Sequence, residues 1–307
     1  MLGNIRKNTI LRNRSIENYN KEVKKRNNEI IRIRSNLRTK INQTVDLDIS
    51  SCRTNSIHRK IKTRRVAIIF FGLTKDLDKN TKSLTDNLFN ILKRHNIDYD
   101  IFIHSNIIDG KYENPWSKEC ASKYKNSDIE TLLKPKIFLS DKQDDILKDV
   151  NLNEYYSTIR FWEDFKEYVW PWSNKEHSMY LIRNMYLALY SKKRIIEEFE
   201  KYKNDYSHCI LMRPDLFLKS QFDLRWLDVV ANNNILLPYK DCYHGVNDRI
   251  CIGSPDTIIY CGKLFDYFQQ YSQQKGVISE VFFKDMLIKK DITIKKINMD
   301  YEILRIT

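Results

Sequence analysis

The sequence predicts an α/β domain built on a mostly parallel sheet, and three observations point there. Residues 66–71 form a continuous apolar run of strand length without polar alternation, as in a strand covered on both faces. Leu84, Leu88, Ile91 and Leu92 then follow helical spacing, with a helix end near His95 and Asn96. Residues 99–104 read as a second strand, so strand, helix and strand succeed one another in under 40 residues. That is a βαβ unit, and its crossover is expected to be right-handed.

The later elements extend the same plan. A polar loop runs from Gly72 to about Asn80, between the first strand and its helix. Residues 106–176 are less regular. They hold Asn114, Pro115 and Trp116, a strand-like stretch at 135–139, and an aromatic segment at 161–172. A long helix is predicted over 176–202, with Met179, Arg183, Tyr186, Leu189, Ile196 and Phe199 on or near one face. Strands follow at 208–213, 235–238 and 249–253, the first broken by Pro214. Ser254 and Pro255 suit the cap and first position of a helix carrying Ile258, Ile259, Leu264, Phe265 and Phe268. A further helix opens at Ser279 and Glu280 and ends near Lys289, before a last strand at 292–297. There is no internal repeat.

Composition excludes several classes. The 307 residues are 42% hydrophobic, 30% charged and 12% aromatic, with only 7 Gly and 6 Pro, unlike collagen, low-complexity or wholly disordered chains. No stretch approaches the roughly 20 apolar residues of a membrane span. The six cysteines lack CxxC spacing and read as reduced residues. No Gly-x-Gly-x-x-Gly, Walker loop, Gly-x-Ser-x-Gly or His-Glu-x-x-His motif is present. Lack of a signal or span implies a cytoplasmic protein.

The net charge of +13 is confined to one end. Residues 1–65 carry 18 Lys and Arg against 5 Asp and Glu, whereas the remaining 242 carry 35 of each. The division is therefore a basic, partly helical extension over 1–62 and one α/β domain over 63–307. Tyr19, Val23, Ile30, Ile33, Leu37 and Ile41 place one apolar ridge on the cationic extension. Three readings of the extension compete: attraction to nucleic acid, attachment to the periphery of an anionic membrane, or packing on its own domain or a second copy. Glu17, Glu22 and Glu29 argue against a transit peptide.

Three clusters could carry chemistry. Arg213, Pro214 and Asp215 end a buried strand, where an open α/β sheet presents residues to its ligand crevice. A guanidinium suits diphosphate oxygens, and a carboxylate suits a divalent cation or a sugar hydroxyl. The competing view is a salt-linked turn. Asn247, Asp248 and Arg249 enter another strand and could grip a polyhydroxylated ligand, or form an Asx-turn that satisfies the backbone. Glu280 either complements a helix macrodipole or acts as a general base. Trp170 and Trp172 are candidate sugar-stacking platforms, although such a segment is more often core.

In this order, a strand ending at Gly72, the strand 99–104, a helix carrying Arg183, Asn184, Met185 and Tyr186, then the Arg213–Asp215 and Asn247–Arg249 elements and Glu280, the chain resembles a family. The family is that of the GT-A-like glycosyltransferases of bacterial surface-polysaccharide loci, including the WavE type, and of some large DNA viruses. The resemblance covers roughly 65–305. It implies a GT-A-like fold and transfer of a sugar from a nucleotide-sugar donor to a hydroxyl of a glycan or surface polysaccharide. It places Gly72, Arg183, Arg213, Asp215, Asn247 and Arg249 at the donor and makes Asp248 and Glu280 catalytic. GT-A enzymes hold Mn²⁺ or Mg²⁺ on an Asp-x-Asp motif; here Arg213 stands in the first position and takes over part of the cation's work, leaving Asp215 to bind a metal or the sugar. A homo-oligomer is compatible with all of this. The competing functions are a nucleic-acid-binding protein acting through its arm and a degenerate transferase fold with a structural role.

Overall fold

The computed structural model describes residues 64–156, 175–275 and 278–306. The basic extension and the aromatic segment with Trp170 and Trp172 lie outside the described residues.

In chain order, β1 (Arg65–Gly72) is followed by α1 (Leu77–Leu84), which passes through a π-helical turn (Thr85–Phe89) into α2 (Asn90–Arg94). Next come β2 (Asp98–Ile107), β3 (Tyr112–Asn114), β4 (Glu119–Ala121), α3 (Ile129–Leu133), β5 (Ile137–Lys142) and α4 (Gln143–Leu147). The long α5 (Lys175–Glu200) leads to β6 (His208–Met212), β7 (Leu216–Leu218), α6 (Arg225–Val229), β8 (Asn234–Pro238) and β9 (Ile250–Gly253). Then α7 (Pro255–Gly262), α8 (Phe265–Gln274) and α9 (Ser279–Lys289) precede β10 (Thr293–Ile297) and β11 (Tyr301–Ile303).

Seven strands form the central sheet in the order β10-β8-β9-β6-β1-β2-β5. Only β9 is reversed, pairing antiparallel with β6 and β8; the other pairings are parallel. The expected α/β class, a mostly parallel sheet flanked by helices, is the fold observed. Strand β1 shows why. Ala67, Ile69 and Phe71 point to a core shared with α5 and α7–α9, while Val66, Ile68 and Phe70 point to a second core shared with α1 and α2. Both faces are buried, so both sets of alternating positions are apolar.

Two helices depart from the sequence pattern. The segment after Ser254 forms two helices instead of one. Ser254 caps α7 as predicted, accepting from the Thr257 amide at 3.3 Å. At its other end, however, α7 presses on α5: a Cβ on Gly262 would lie 2.1 Å from Ile196 Cγ1. The chain leaves helical geometry there, at Lys263, before α8 begins. The expected loop before Asn80 is already helix from Leu77. Its buried face includes Asn80 and Ser83, two polar residues that hide the apolar period. Their side chains have a job: Asn80 donates to the carbonyls of Pro214 and Leu216 at 2.7 and 3.0 Å, and Ser83 donates to Leu218 O at 3.0 Å. They fasten the turn that follows β6.

Candidate active site

The topology itself nominates a crevice. From β1 the chain moves to β2 on one side and later returns through α5 to β6 on the other. The carboxyl ends of β1 and β6 therefore flank the point where strand order reverses, the usual ligand position in an open α/β sheet. A cavity of about 290 Å³ lies here, and its lining includes Gly72, Arg213, Asp248, Arg249 and Glu280. Because β9 is antiparallel to β6, its beginning lies beside the end of β6. Met212 faces Ile250, and the Arg213 amide donates to Arg249 O at 3.0 Å. The reversed strand thus brings the Asn247–Arg249 element onto the same rim as Arg213.

Arg213 and Asp215 do not both face the crevice. Asp215 is 1% exposed and does not line the cavity. Arg213 Nε donates to one of its oxygens at 2.9 Å and Nη2 donates to the other. Pro214 turns the backbone so that the carboxylate lies beneath the guanidinium and clamps it. This is the salt-linked turn, yet one that fixes a cavity residue: the Nη1 donors of Arg213 keep no partner among the described residues.

Asn247 is fully buried and absent from the cavity lining. Its Oδ1 accepts from the amides of Arg249 and Ile250 at 3.0 and 3.2 Å, the Asx-turn arrangement. Its Nδ2 donates to Lys240 O at 2.7 Å and Tyr301 Oη at 2.6 Å. The neighbouring loop needs such fastening, because Asp241, Tyr243 and His244 all adopt positive φ. Gly245 docks this loop on α9. The Val246 amide donates to Glu280 O at 3.0 Å, and a Cβ on Gly245 would lie 2.0 Å from that same oxygen.

Two carboxylates meet in the cavity with opposite tendencies. Burial pushes Asp248 up, but Arg249, Lys192, a hydrogen bond from Ser279 and Arg213 together hold it below the ordinary carboxylate range. Glu280 is 5% exposed, and burial together with the charge of Asp248 pushes it up to about 7, with Arg249 opposing. Arg249 Nη1 lies between them, 3.5 Å from Asp248 Oδ1 and 3.2 Å from Glu280 Oε1. Two acids whose environments separate their protonation near neutral pH are the usual ground plan of acid–base chemistry.

The lining also holds the cations Lys75, Lys192 and Arg305. Gly72 ends β1 at φ 99°, and its amide donates to Ser191 Oγ at 2.8 Å; Ser191 in turn contacts His104, which reaches Asp141. In this series Ser191 and His104 are buried and Asp141 is half-buried, and together they steady the cavity edge. Lys75 pairs with buried Glu119, which also accepts from Arg305 and the Ile306 amide and so ties the chain's end into the wall. Arg183 bonds Gln143 Oε1 at 3.0 Å and does not line the cavity. Sequence patterns miss Lys192, Asn106 and Tyr301 altogether. Lys192 sits on a helix rich in lysine, and Asn106 ends a strand after its apolar run; neither belongs to a motif.

The residues do not fit a divalent ion. Both oxygens of Asp215 are engaged by Arg213, and Asp248 is crowded by Arg249, Lys192 and Arg213. Among the described residues no group of three or more His, Cys, Asp or Glu side chains is placed to hold a metal. No helix among the described residues is long and apolar enough to cross a membrane.

No protein-family model and no curated protein matches the chain. Among solved structures it is similar to mouse xyloside xylosyltransferase 1 in its apo form, at 9% identity over 76% of this chain and 84% of that one, with a TM-score of 0.31. It is also similar to the galactosyltransferase LgtC in complex with donor and acceptor sugar analogues, at 9% identity over 75% and 72%, with a TM-score of 0.34. At that distance the chemistry has to be read from the cavity.

Proposed function

We propose that the chain is a glycosyltransferase that moves a sugar from a nucleotide-sugar donor to a hydroxyl of a glycan acceptor. The observation that carries this reading is the meeting of Arg213, Arg249, Asp248 and Glu280 on one cavity at the topological switch point. In this reading the guanidinium of Arg213, aimed by Asp215, bonds the donor's diphosphate oxygens. Glu280, with Arg249 beside it, takes the proton from the acceptor hydroxyl. The acceptor oxygen forms its bond to the anomeric carbon as the bond from that carbon to the diphosphate oxygen breaks. The electron pair departs with the nucleoside diphosphate. Asp248, held ionised by the surrounding cations, faces the positive charge that develops on the sugar ring. Asn247 supports the loop, not the ligand.

The test is to incubate the protein with a panel of UDP- and GDP-sugars and oligosaccharide acceptors, following nucleoside diphosphate release. Acceptor-stimulated release is expected from at least one donor, and Glu280→Gln should reduce it by ~10²–10⁴, the range for general acid–base catalysis. Equal release by wild type and variant would refute the assignment of Glu280. No release with any donor would refute the reading itself.

A further inference from the structure

Lys192 is an unusual member of the cavity wall. It is a 5% exposed lysine near the middle of α5, and it lines the cavity. Its Nζ lies 4.5 Å from the centre of the Phe71 ring and 5.6 Å from that of Phe283. One hydrogen bond fixes it, to Asp248 O at 3.1 Å. Among the described residues it forms no ion pair, whereas Lys75, Arg213, Arg249 and Arg305 each pair with a carboxylate. Held by two ring faces, one carbonyl and the field of the Asp248 carboxylate but by no direct ion pair, the ammonium keeps donors to spare. On the same wall, Asn106 is 2% exposed, and its Oδ1 has no partner. Polar groups left unsatisfied in a cavity mark where a ligand's polar atoms belong.

We propose that Lys192, together with Arg213, supplies the fixed positive charge for the donor's diphosphate, so that the nucleotide is bound without a divalent ion. The proposal rests on the nucleotide-sugar reading and adds to it the nature of the charge that holds the leaving group. The physical logic is substitution. A diphosphate brings at least two negative charges into the cavity, and these must be balanced on arrival. A metal would need carboxylate oxygens, whereas here Arg213 engages Asp215 and Arg249 sits between Asp248 and Glu280. An ammonium held by Phe71, Phe283 and Asp248 O is already in place and requires none.

The experiment measures binding of inorganic pyrophosphate, UDP and GDP by equilibrium dialysis, in EDTA and in millimolar Mn²⁺. It compares wild type with Lys192→Gln and Lys193→Ala. Glutamine keeps a donor for Asp248 O and removes the charge. The Lys193 variant removes the same charge from the adjacent residue, which pairs with Asp266. Melting temperatures confirm that the variants are folded.

Pyrophosphate and at least one nucleoside diphosphate are expected to bind in EDTA. Lys192→Gln should weaken them by ~10-fold or more, as for a lost charge-assisted hydrogen bond, and Lys193→Ala should not. Binding in EDTA that is indifferent to Lys192→Gln overturns the role of the lysine. Binding that needs Mn²⁺ overturns the proposal and leaves the transferase reading standing. Binding of pyrophosphate without either nucleotide overturns the transferase reading, and the proposal with it. Binding of none of the three overturns both.

Discussion

Glu280→Gln is the perturbation whose size the structure fixes best. The carboxyl of Glu280 lies in the first turn of α9, buried, with Arg249 Nη1 3.2 Å from one oxygen and Ser279 Oγ 3.0 Å from the other. Burial and the charge of Asp248 move it from the ordinary 4.5 to about 7. At roughly 1.36 kcal/mol per pK unit, that displacement corresponds to about 3 kcal/mol. The sign follows from the proton count. Between pH 4.5 and 7 the folded chain retains a proton that the unfolded chain has released. The contribution is therefore fully present below pH 4.5 and is lost as the pH rises through 7. Glutamine has the same shape and no titration, so the stability difference, wild type minus variant, isolates the term. Urea unfolding from pH 4.5 to 8 should show that difference falling by about 3 kcal/mol, the pair Asp248–Glu280 titrating as one unit. A difference that stays flat across this range would mean that Glu280 titrates as a solvated carboxylate, and the basis for its role as a base would be gone. In transfer assays, wild-type rate should rise with pH toward a plateau above 7, since the base must be deprotonated.

Asp215→Ala should leave Arg213 in the cavity without its clamp, lowering transfer by ~10²–10³, as on loss of a preorganised electrostatic contact. Its stability cost should fall near the lower end of roughly 3–5 kcal/mol, because Arg213 still reaches solvent through the cavity. Transfer at the wild-type rate would remove the clamp from the mechanism. Gly245→Ala should force the Asp241–Val246 loop off α9, since the added carbon would meet Glu280 O at 2.0 Å. Circular dichroism melts should show a loss of about 1–3 kcal/mol, the usual cost of overpacking, together with a larger loss of activity. Unchanged activity in this variant would show that the loop does not set the position of Glu280.

Much of the frame is legible in the sequence because it rests on one-dimensional periods. The run at 66–71, the helix starting with Ser254 and Pro255, and the strand at 208–213 each announce themselves by burial pattern or cap chemistry. The short ribbon of β7 and β11 does not. Each strand has three residues, too few for a period, and the partners Leu218 and Tyr301 are 83 positions apart. The candidate site divides in the same way. Arg213 was visible because a buried strand delivers it, and Glu280 because it opens a helix. Which of Arg213 and Asp215 faces the ligand depends on how Pro214 turns the chain and on Asn80 gripping the next carbonyls. Lys192 was invisible, since nothing in a lysine-rich helix distinguishes the one lysine that faces Phe71 and Phe283.

Calorimetric titration of wild type and Arg213→Met with UDP- and GDP-sugars tests the assignment of this cavity most directly. Saturable binding of at least one nucleotide sugar by wild type is expected, weakened at least ~10-fold in the variant, as for loss of a charge-assisted contact. Binding that ignores Arg213, or no binding of any nucleotide sugar, would place the donor elsewhere or remove it from this protein.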